Sequence, residues 1–244
     1  IMKNLYLPII KKKSRYFQTS RRAAELIKYA SNAFLATKIS YINEISNLCE
    51  KSDIDVNEIS TGIGLDERIG ARFLRAGPGY GGSCFPKDTR ALLTTAKKFS
   101  TELSIVNSAV KSNDNRHNIL TSKVTKIMNN KLNNKKITFL GVTFKAGTDD
   151  MRESPSLKII PKLIRKGCLI NYYDPTGSKE EFNKFKNIKY CANIKDACKN
   201  TDLIIIHTEW NEFKQLNFKN IVKNKNLKIY DMRNLYSPIK MKKN

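Results

Sequence analysis

From Arg21 to Lys51 the chain contains neither glycine nor proline. A stretch that long without a breaker predicts one continuous helix, and a helix of that length belongs at the centre of a packed helical unit. Thr19 or Ser20 supplies the N-cap, and Leu26, Ala30, Ala33 and Thr37 share one stripe. Asp55-Val56-Asn57-Glu58 resembles a capping box opening a short helix that Gly62 and Gly64 close, and a third helical region covers roughly 107–129. An asparagine- and lysine-rich break at 129–136 then ends the helical part. Beyond it the pattern changes: Ile137–Val142, Cys168–Tyr173, Leu203–Ile206 and Leu227–Tyr230 read as buried strands, with helices at Ser156–Lys166 and Ile194–Lys199 between them. Strands alternating with helices predict a parallel α/β domain, so the fold class is α/β, with an all-helical domain (19–130) followed by a Rossmann-like domain (131–244).

Composition limits what such a chain can do. With 244 residues and 40% hydrophobic content it can bury one large core or two modest ones. There is no run of 18 apolar residues and no apolar segment of signal-peptide length at the start, so no membrane partner is expected. The five cysteines form no C-x-x-C pair, which argues against a disulfide framework and against a metal site and favours a reducing cytoplasm. The net charge of +23 raises the question of nucleic acid. The lysines are dispersed among asparagines, however, as in Asn129–Lys136, a mixture that an AT-rich genome produces without selection for binding. Attraction of a small anionic ligand is the stronger reading.

Chemistry concentrates in the segment Ala76–Asp88, A-G-P-G-Y-G-G-S-C-F-P-K-D. Gly77, Gly79, Gly81 and Gly82 allow positive φ and close approach of a ligand, and their N–H groups can form an anion nest. The arrangement suits a reactive, exposed thiol at Cys84, with backbone N–H dipoles and the cation of Lys87 beside it. Asp88 is placed to orient water or to cap a helix that Thr89 begins. The ordinary alternative is a buried cysteine beside a tight turn. On the long helix, Lys28 and Asn32 stand one turn apart on one face, where a cation and an amide can share one oxyanion; a solvated helix face is the plainer account. Gly77, Gly79 and Gly82 also match G-x-G-x-x-G, but no strand precedes them and no helix follows at once, so they are not read as a dinucleotide site. The loop Phe144–Pro155 joins a strand's carboxyl end to a helix's amino end, where anions bind.

Taken together, A-E-L-I-K-Y-A-S-N-A-F-L-A (Ala24–Ala36), the G-G-S-C-F-P-K-D loop and F-K-x-x-T-x-D-x-R-E-S (Phe144–Ser154) occur in the order found in the UDP-glucose 6-dehydrogenases, and the chain resembles that family over nearly its whole length. The resemblance implies a two-step NAD-dependent oxidation of UDP-glucose to UDP-glucuronate. It implies Cys84 as the nucleophile that forms a thiohemiacetal and then a thioester, Lys28 and Asn32 as the oxyanion pair, and Asp88 as the carboxylate assisting water. Phe73, Leu74, Arg75, Ala76, Gly77, Pro78, Gly79, Tyr80 and Gly81 would then surround the sugar nucleotide, with Phe144, Lys145 and Arg233 beside it. Arg68 would reach the neighbouring subunit's site in a homodimer built on the central helix, and Cys84, Lys87 and Arg152 would face NAD. Family members begin with a nucleotide-binding domain, so residues 1–18 are expected to be a remnant of one, most of the NAD site is expected to be missing, and the segment Tyr236–Met241 is expected to end short of a last strand. A sister enzyme acting on GDP-mannose or UDP-N-acetylmannosamine, and a non-catalytic binding module for sugar nucleotides or nucleic acid, are the competing expectations.

Overall fold

The computed structural model describes residues 2–6, 8–10, 16–222 and 227–237. A short helix, α1 (Met2–Tyr6), precedes the long α2 (Arg21–Lys51), whose N-cap Ser20 accepts a hydrogen bond from the Ala23 N–H at 3.2 Å. The packed face of α2 is Ala33, Ala36, Ser40 and Asn43; Leu26 and Ala30, expected on that face, are exposed. Burial on α2 begins at Ala33, and the turns before it carry no buried residue, which leaves Leu26 and Ala30 outside. Around α2 lie α3 (Val56–Gly64), α4 (Phe85–Lys98) and α5 (Ser104–Ile127). Asp55 caps α3 through the Asn57 N–H at 2.8 Å. The α4 helix starts at Phe85 rather than at Thr89, with Cys84 as its N-cap residue. Pro86 sits in the first turn, where a missing N–H costs nothing, so proline opens this helix instead of delaying it.

Among the described residues the five strands all follow Lys135: β1 (Lys136–Leu140), β2 (Leu169–Tyr173), β3 (Ile188–Tyr190), β4 (Leu203–Ile206) and β5 (Lys228–Asp231). They pair in parallel in the order β3-β2-β1-β4-β5. Helix α6 (Ser156–Arg165) joins β1 to β2, while α7 (Ile194–Ala197) and α8 (Phe218–Ile221) lie on either side of β4 in the chain. The short β3, α1 and α8 have no counterpart among the expected elements: neither β3 nor α1 holds a buried residue and α8 buries Phe218 alone, so none carries the apolar run that marks β1, β2 and β4. Pro238–Met241, part of the segment expected to end early, lie outside the described residues.

Each sheet face carries its own apolar cluster. Ile137, Phe139, Ile170 and Ile205 pack under Ile159, Ile160 and Leu163 of α6 and under Leu120 and Val124 of α5. On the other face Leu140, Ile204 and Ile206 meet Phe213, Phe218 and Tyr236. Helix α5 therefore belongs to both halves, with its carboxyl-terminal half on the sheet. Strand order reverses between β1 and β4, and in a parallel sheet the crevice beyond the carboxyl ends of such strands is where ligands bind. His207, just past β4, is wholly buried; its Nδ1 lies 3.1 Å from Thr208 Oγ1, while Nε2 has no partner among the described residues. Burial, and secondarily the charge of Arg233, holds its pKa well below the usual histidine value. The unfolded chain therefore takes up a proton near pH 6.5 that the folded chain refuses, so stability present above that pH is lost as pH falls. His207→Asn is expected to remove an acid-side loss of up to about 1.4 kcal/mol per pH unit below 6.5, read from urea midpoints at pH 7 and pH 5.5.

Candidate active site

Beyond α3 the chain crosses the carboxyl ends of β1, β4 and β5 as the glycine-rich loop, and three side chains of the long helices hold it there. Asn43 accepts from the Gly77 N–H at 2.8 Å, and Asn113 brackets Tyr80, accepting from its N–H at 2.9 Å and donating to its carbonyl at 3.2 Å. Arg116 donates to the Gly77 carbonyl at 3.0 Å, the Asn43 carbonyl and Asn47 Oδ1 both at 2.9 Å, and Ser46 Oγ at 3.2 Å. On its far side the loop presses on the sheet half. A Cβ at Gly81 would stand 2.4 Å from the Glu153 carbonyl oxygen, and one at Gly82 would stand 2.8 Å from the Phe144 ring. The Gly82 N–H donates to the Arg152 carbonyl at 2.7 Å. Backbone cannot swing aside as a side chain can, so Gly81→Ala is expected to lower stability by about 2 kcal/mol through overpacking, checked by denaturant unfolding.

Between loop and sheet lies a cavity of about 660 Å³, walled by Phe73, Arg75, Gly77, Gly79, Tyr80 and Gly81 from one half and by Phe144, Lys145, Glu209 and Arg233 from the other. That volume suits a ligand of nucleotide size. Phe85 stands edge-on to both Phe73 and Tyr80, with ring centroids 5.9 and 6.0 Å apart. Arg233 is fixed by donation to the His207 carbonyl and the Phe144 carbonyl, each at 2.7 Å, and by Glu209 at 2.9 Å. Lys145 lies over the Phe144 ring at 5.4 Å.

Cys84 is the exposed cysteine; the other four are buried, and none is in a disulfide. The Asp88 N–H donates to the Cys84 carbonyl at 2.8 Å, so the two residues stand one turn apart on α4. Asp88 is no helix cap. Its side chain is fully buried and receives Asn32 Nδ2 at 2.6 Å, Lys28 Nζ at 3.5 Å and Lys87 Nζ. Burial raises its pKa, but the bonds from Lys87 and Asn32 and the charge of Lys28 outweigh that, so Asp88 stays ionised below the usual carboxylate range. Asp88 in turn raises the pKa of Lys87. Lys28, whose side chain is 64% exposed, and Asn32 thus both reach the Asp88 carboxylate.

Of the residues singled out in the sequence, the cavity gathers Phe73, Arg75, Gly77, Gly79, Tyr80, Gly81, Phe144, Lys145 and Arg233. Leu74 and Ala76 turn inward, into a cluster with Ile42, Cys49 and Val56. Pro78 is buried within the loop. Arg152 lies next to the loop, its side chain exposed and paired with Asp150 at 2.8 Å. Arg68 is not brought to the cavity: it is 89% exposed and pairs with Asp66 at 2.6 Å. Asn43, Asn113, Arg116 and Glu209 were missed. Arg116 left a readable signal, since it interrupts the otherwise buried stripe Ala109, Leu120, Val124 with a charge.

Residues 22–115 match the model for the UDP-glucose/GDP-mannose dehydrogenase family, central domain, and residues 138–238 match the UDP binding domain of the same family. A UDP-glucose 6-dehydrogenase from Rickettsia prowazekii (strain Madrid E) is 42% identical over 248 residues, covering 100% of this chain and 57% of the relative. Another from Rhizobium meliloti (strain 1021) is 43% identical over 237 residues, covering 97% of this chain and 54% of its own length. Among solved structures, a UDP-glucose dehydrogenase from Pyrobaculum islandicum aligns with TM-score 0.86 at 28% identity over 96% of this chain and 52% of that one. A UDP-D-ManNAc dehydrogenase from Pyrococcus horikoshii aligns with TM-score 0.82 at 26% identity over 97% of this chain and 54% of that one. The chain spans little more than half the length of these relatives. With both domain models matched in order, the first containing the glycine-rich loop and the second most of the parallel sheet, the chain belongs to the UDP-glucose/GDP-mannose dehydrogenase family.

Proposed function

We propose that the protein carrying this chain oxidises the C6 alcohol of UDP-glucose to a carboxylate with NAD as the hydride acceptor. The observation that carries this reading is the exposed Cys84, next in the chain to Phe85 of the cation-bearing cavity, beside a buried, ionised Asp88 that Lys28 and Asn32 already grip. Arg75, Lys145 and Arg233 supply the charge a pyrophosphate needs, and Phe73, Tyr80 and Phe85 supply apolar walls. The C6 aldehyde formed in the first oxidation is attacked by Cys84 Sγ: a C–S bond forms, and the carbonyl electron pair becomes an oxyanion. Lys28 and Asn32 hold that oxyanion, turning to it from Asp88. Loss of hydride from the thiohemiacetal leaves a thioester. Water then attacks the thioester carbon, Asp88 takes up its proton, the C–S bond breaks, and Cys84 is released with the carboxylate product.

For the cofactor, Lys87 and Arg152 present two exposed cations beside Cys84, which fits an anionic dinucleotide whose reactive end meets the sulfur. When bound, NAD would accept the two hydrides. The glycine triplet Gly77, Gly79, Gly82 is not its seat, because no strand leads into it. Residues 19–130 and 131–244 are read as the two domains that share the site, with 1–18 leading into the first. Among the described residues no helix is long and apolar enough to cross a membrane, and five free cysteines suit a reducing, cytoplasmic setting.

The protein is read as a homodimer. Ile27, Phe34, Tyr41 and Leu48 recur every seven residues along α2 and are 48%, 67%, 53% and 62% exposed, an apolar seam suited to a second copy of the helix. Exposed Arg68 is free of the cavity of its own chain and available to a neighbour's. Phe34→Asp is expected to weaken dimerisation at least about tenfold by placing a charge in that seam, as measured by sedimentation equilibrium.

The similarity to the UDP-D-ManNAc dehydrogenase, nearly as high as that to the UDP-glucose enzyme, supports an N-acetylated sugar as the second reading. Supplying the protein and NAD with UDP-glucose, UDP-N-acetylmannosamine or GDP-mannose decides the matter. A uronate formed from UDP-glucose, with two hydrides transferred per sugar, is the expected result; turnover of another nucleotide sugar alone would replace the reading.

A further inference from the structure

Away from the candidate active site, a groove of about 500 Å³ is lined by the carboxyl-terminal parts of α5 and α6. One wall is a polar ladder at four-residue spacing on α5 and the turn after it, Asn118, Ser122, Lys126 and Asn130; the other is Lys162 and Arg165 of α6 with Lys166, its C-cap. The groove carries four cations and no carboxylate. Three further cavities differ: Glu209 lines two of them, and Glu50, Asp53, Asp55 and Asp231 line the third. Among the described residues none of the four groove cations is paired with an acid, whereas Lys123 and Lys158 nearby are paired with Glu50 and with Asp114 and Glu153. Lys162 instead donates to the Asn118 amide oxygen.

Cations in a helix's last turn commonly balance its dipole, and that account must be weighed first. Each helix end supplies roughly half a unit of negative charge. Two such ends cancel about one of the four cations, so a positive excess of about three charges remains in a concave site. Lys162 registers it: burial first, then Arg165 and Lys158, hold its ammonium below the usual lysine range. A concavity lined with cations and amide donors, lacking acids and too small for a duplex to enter, matches a compact multivalent anion.

We propose that the groove between the carboxyl ends of α5 and α6 binds a small anion carrying several phosphate groups, at a site separate from the sugar-nucleotide cavity. The ligand is an inorganic polyphosphate or the triphosphate of a nucleotide, which share the chemistry the groove reads. This inference does not depend on the proposed dehydrogenase activity.

The test is calorimetric titration of the protein with sodium tripolyphosphate and, separately, with ATP. Lys162→Gln/Arg165→Gln and Arg165→Gln/Lys166→Gln, the second altering only exposed side chains, are each expected to weaken tripolyphosphate binding by about tenfold or more per lost charge-assisted contact. Arg75→Gln, in the other cavity, and Lys97→Gln/Lys98→Gln, on the exposed end of α4, should leave it unchanged. Equal affinity for ATP would assign recognition to the phosphates alone, and tighter ATP binding would add the nucleoside; both sustain the site. Equal losses in the Lys97/Lys98 variant would reduce the effect to net charge and overturn the proposal. Loss confined to Arg75→Gln would move the anion to the sugar-nucleotide cavity, and displacement of tripolyphosphate by a short DNA duplex would make the partner a nucleic acid; either result also overturns it.

Discussion

Replacing Cys84 by alanine is expected to cut uronate formation by about 10³-fold or more, the loss that follows when a covalent nucleophile is removed from a site that otherwise remains intact. The position isolates chemistry from folding. Cys84 is exposed, makes no side-chain cap bond and serves α4 only through its backbone, so stability should shift within about 0.5 kcal/mol. Four further thiols are buried, and burial pushes Cys168 up to about 11 and Cys198 up to about 12, so neither can take over. The first oxidation, which needs no sulfur, should persist in the variant and leave aldehyde to be trapped with a hydrazine. Uronate production at the wild-type rate by Cys84→Ala would remove the thioester from the mechanism.

Arg116→Met is expected to cost about 3 kcal/mol of stability, because several buried acceptors lose a charged donor together. Arg116 is only 6% exposed and holds the Asn43 and Gly77 carbonyls, Asn47 and Ser46 at once. Methionine fills similar volume but offers no N–H, so the loss falls on hydrogen bonding rather than on packing. The same substitution releases the loop that carries Gly77. KM for the nucleotide sugar should therefore rise more than kcat falls, under conditions where the variant remains folded. Lys123→Met, about two helical turns beyond Arg116 on α5 and paired mainly with the surface carboxylate Glu50, should cost far less. A guanidinium midpoint for Arg116→Met equal to that of the wild type would show that α2 and α5 hold the loop without it.

Much of this architecture was legible because its signals are local. The breaker-free run of α2, the cap at Asp55 and the apolar runs of β1, β2 and β4 declare themselves within a window of a few residues. The start of α4 did not, because Pro86 reads as a helix boundary when helical turns are counted from its far side. The packed face of α2 was misplaced at its amino end for a similar reason: Leu26 is apolar, but only the assembled helices decide which apolar residues they cover. In the site, glycines and the thiol were visible from type and spacing. The grip of Lys28 and Asn32 on Asp88 was not, since the partners are 56 residues apart for Asn32 and meet only when α4 crosses α2. Glu209 likewise becomes a wall of the cavity only because β4 lies next to β1.

The contact of Gly81 and Gly82 with Glu153 and Phe144 bears on how this protein can evolve. A loop from the helical half is seated so tightly on the sheet half that neither side can change its surface alone. Duplication, swapping or transplantation of either half would carry away one wall of the pocket and leave a mismatched joint behind. The asparagine-rich turn at 129–136 looks like a natural seam for recombination, yet the two halves must be inherited together: the unit of descent is the pair.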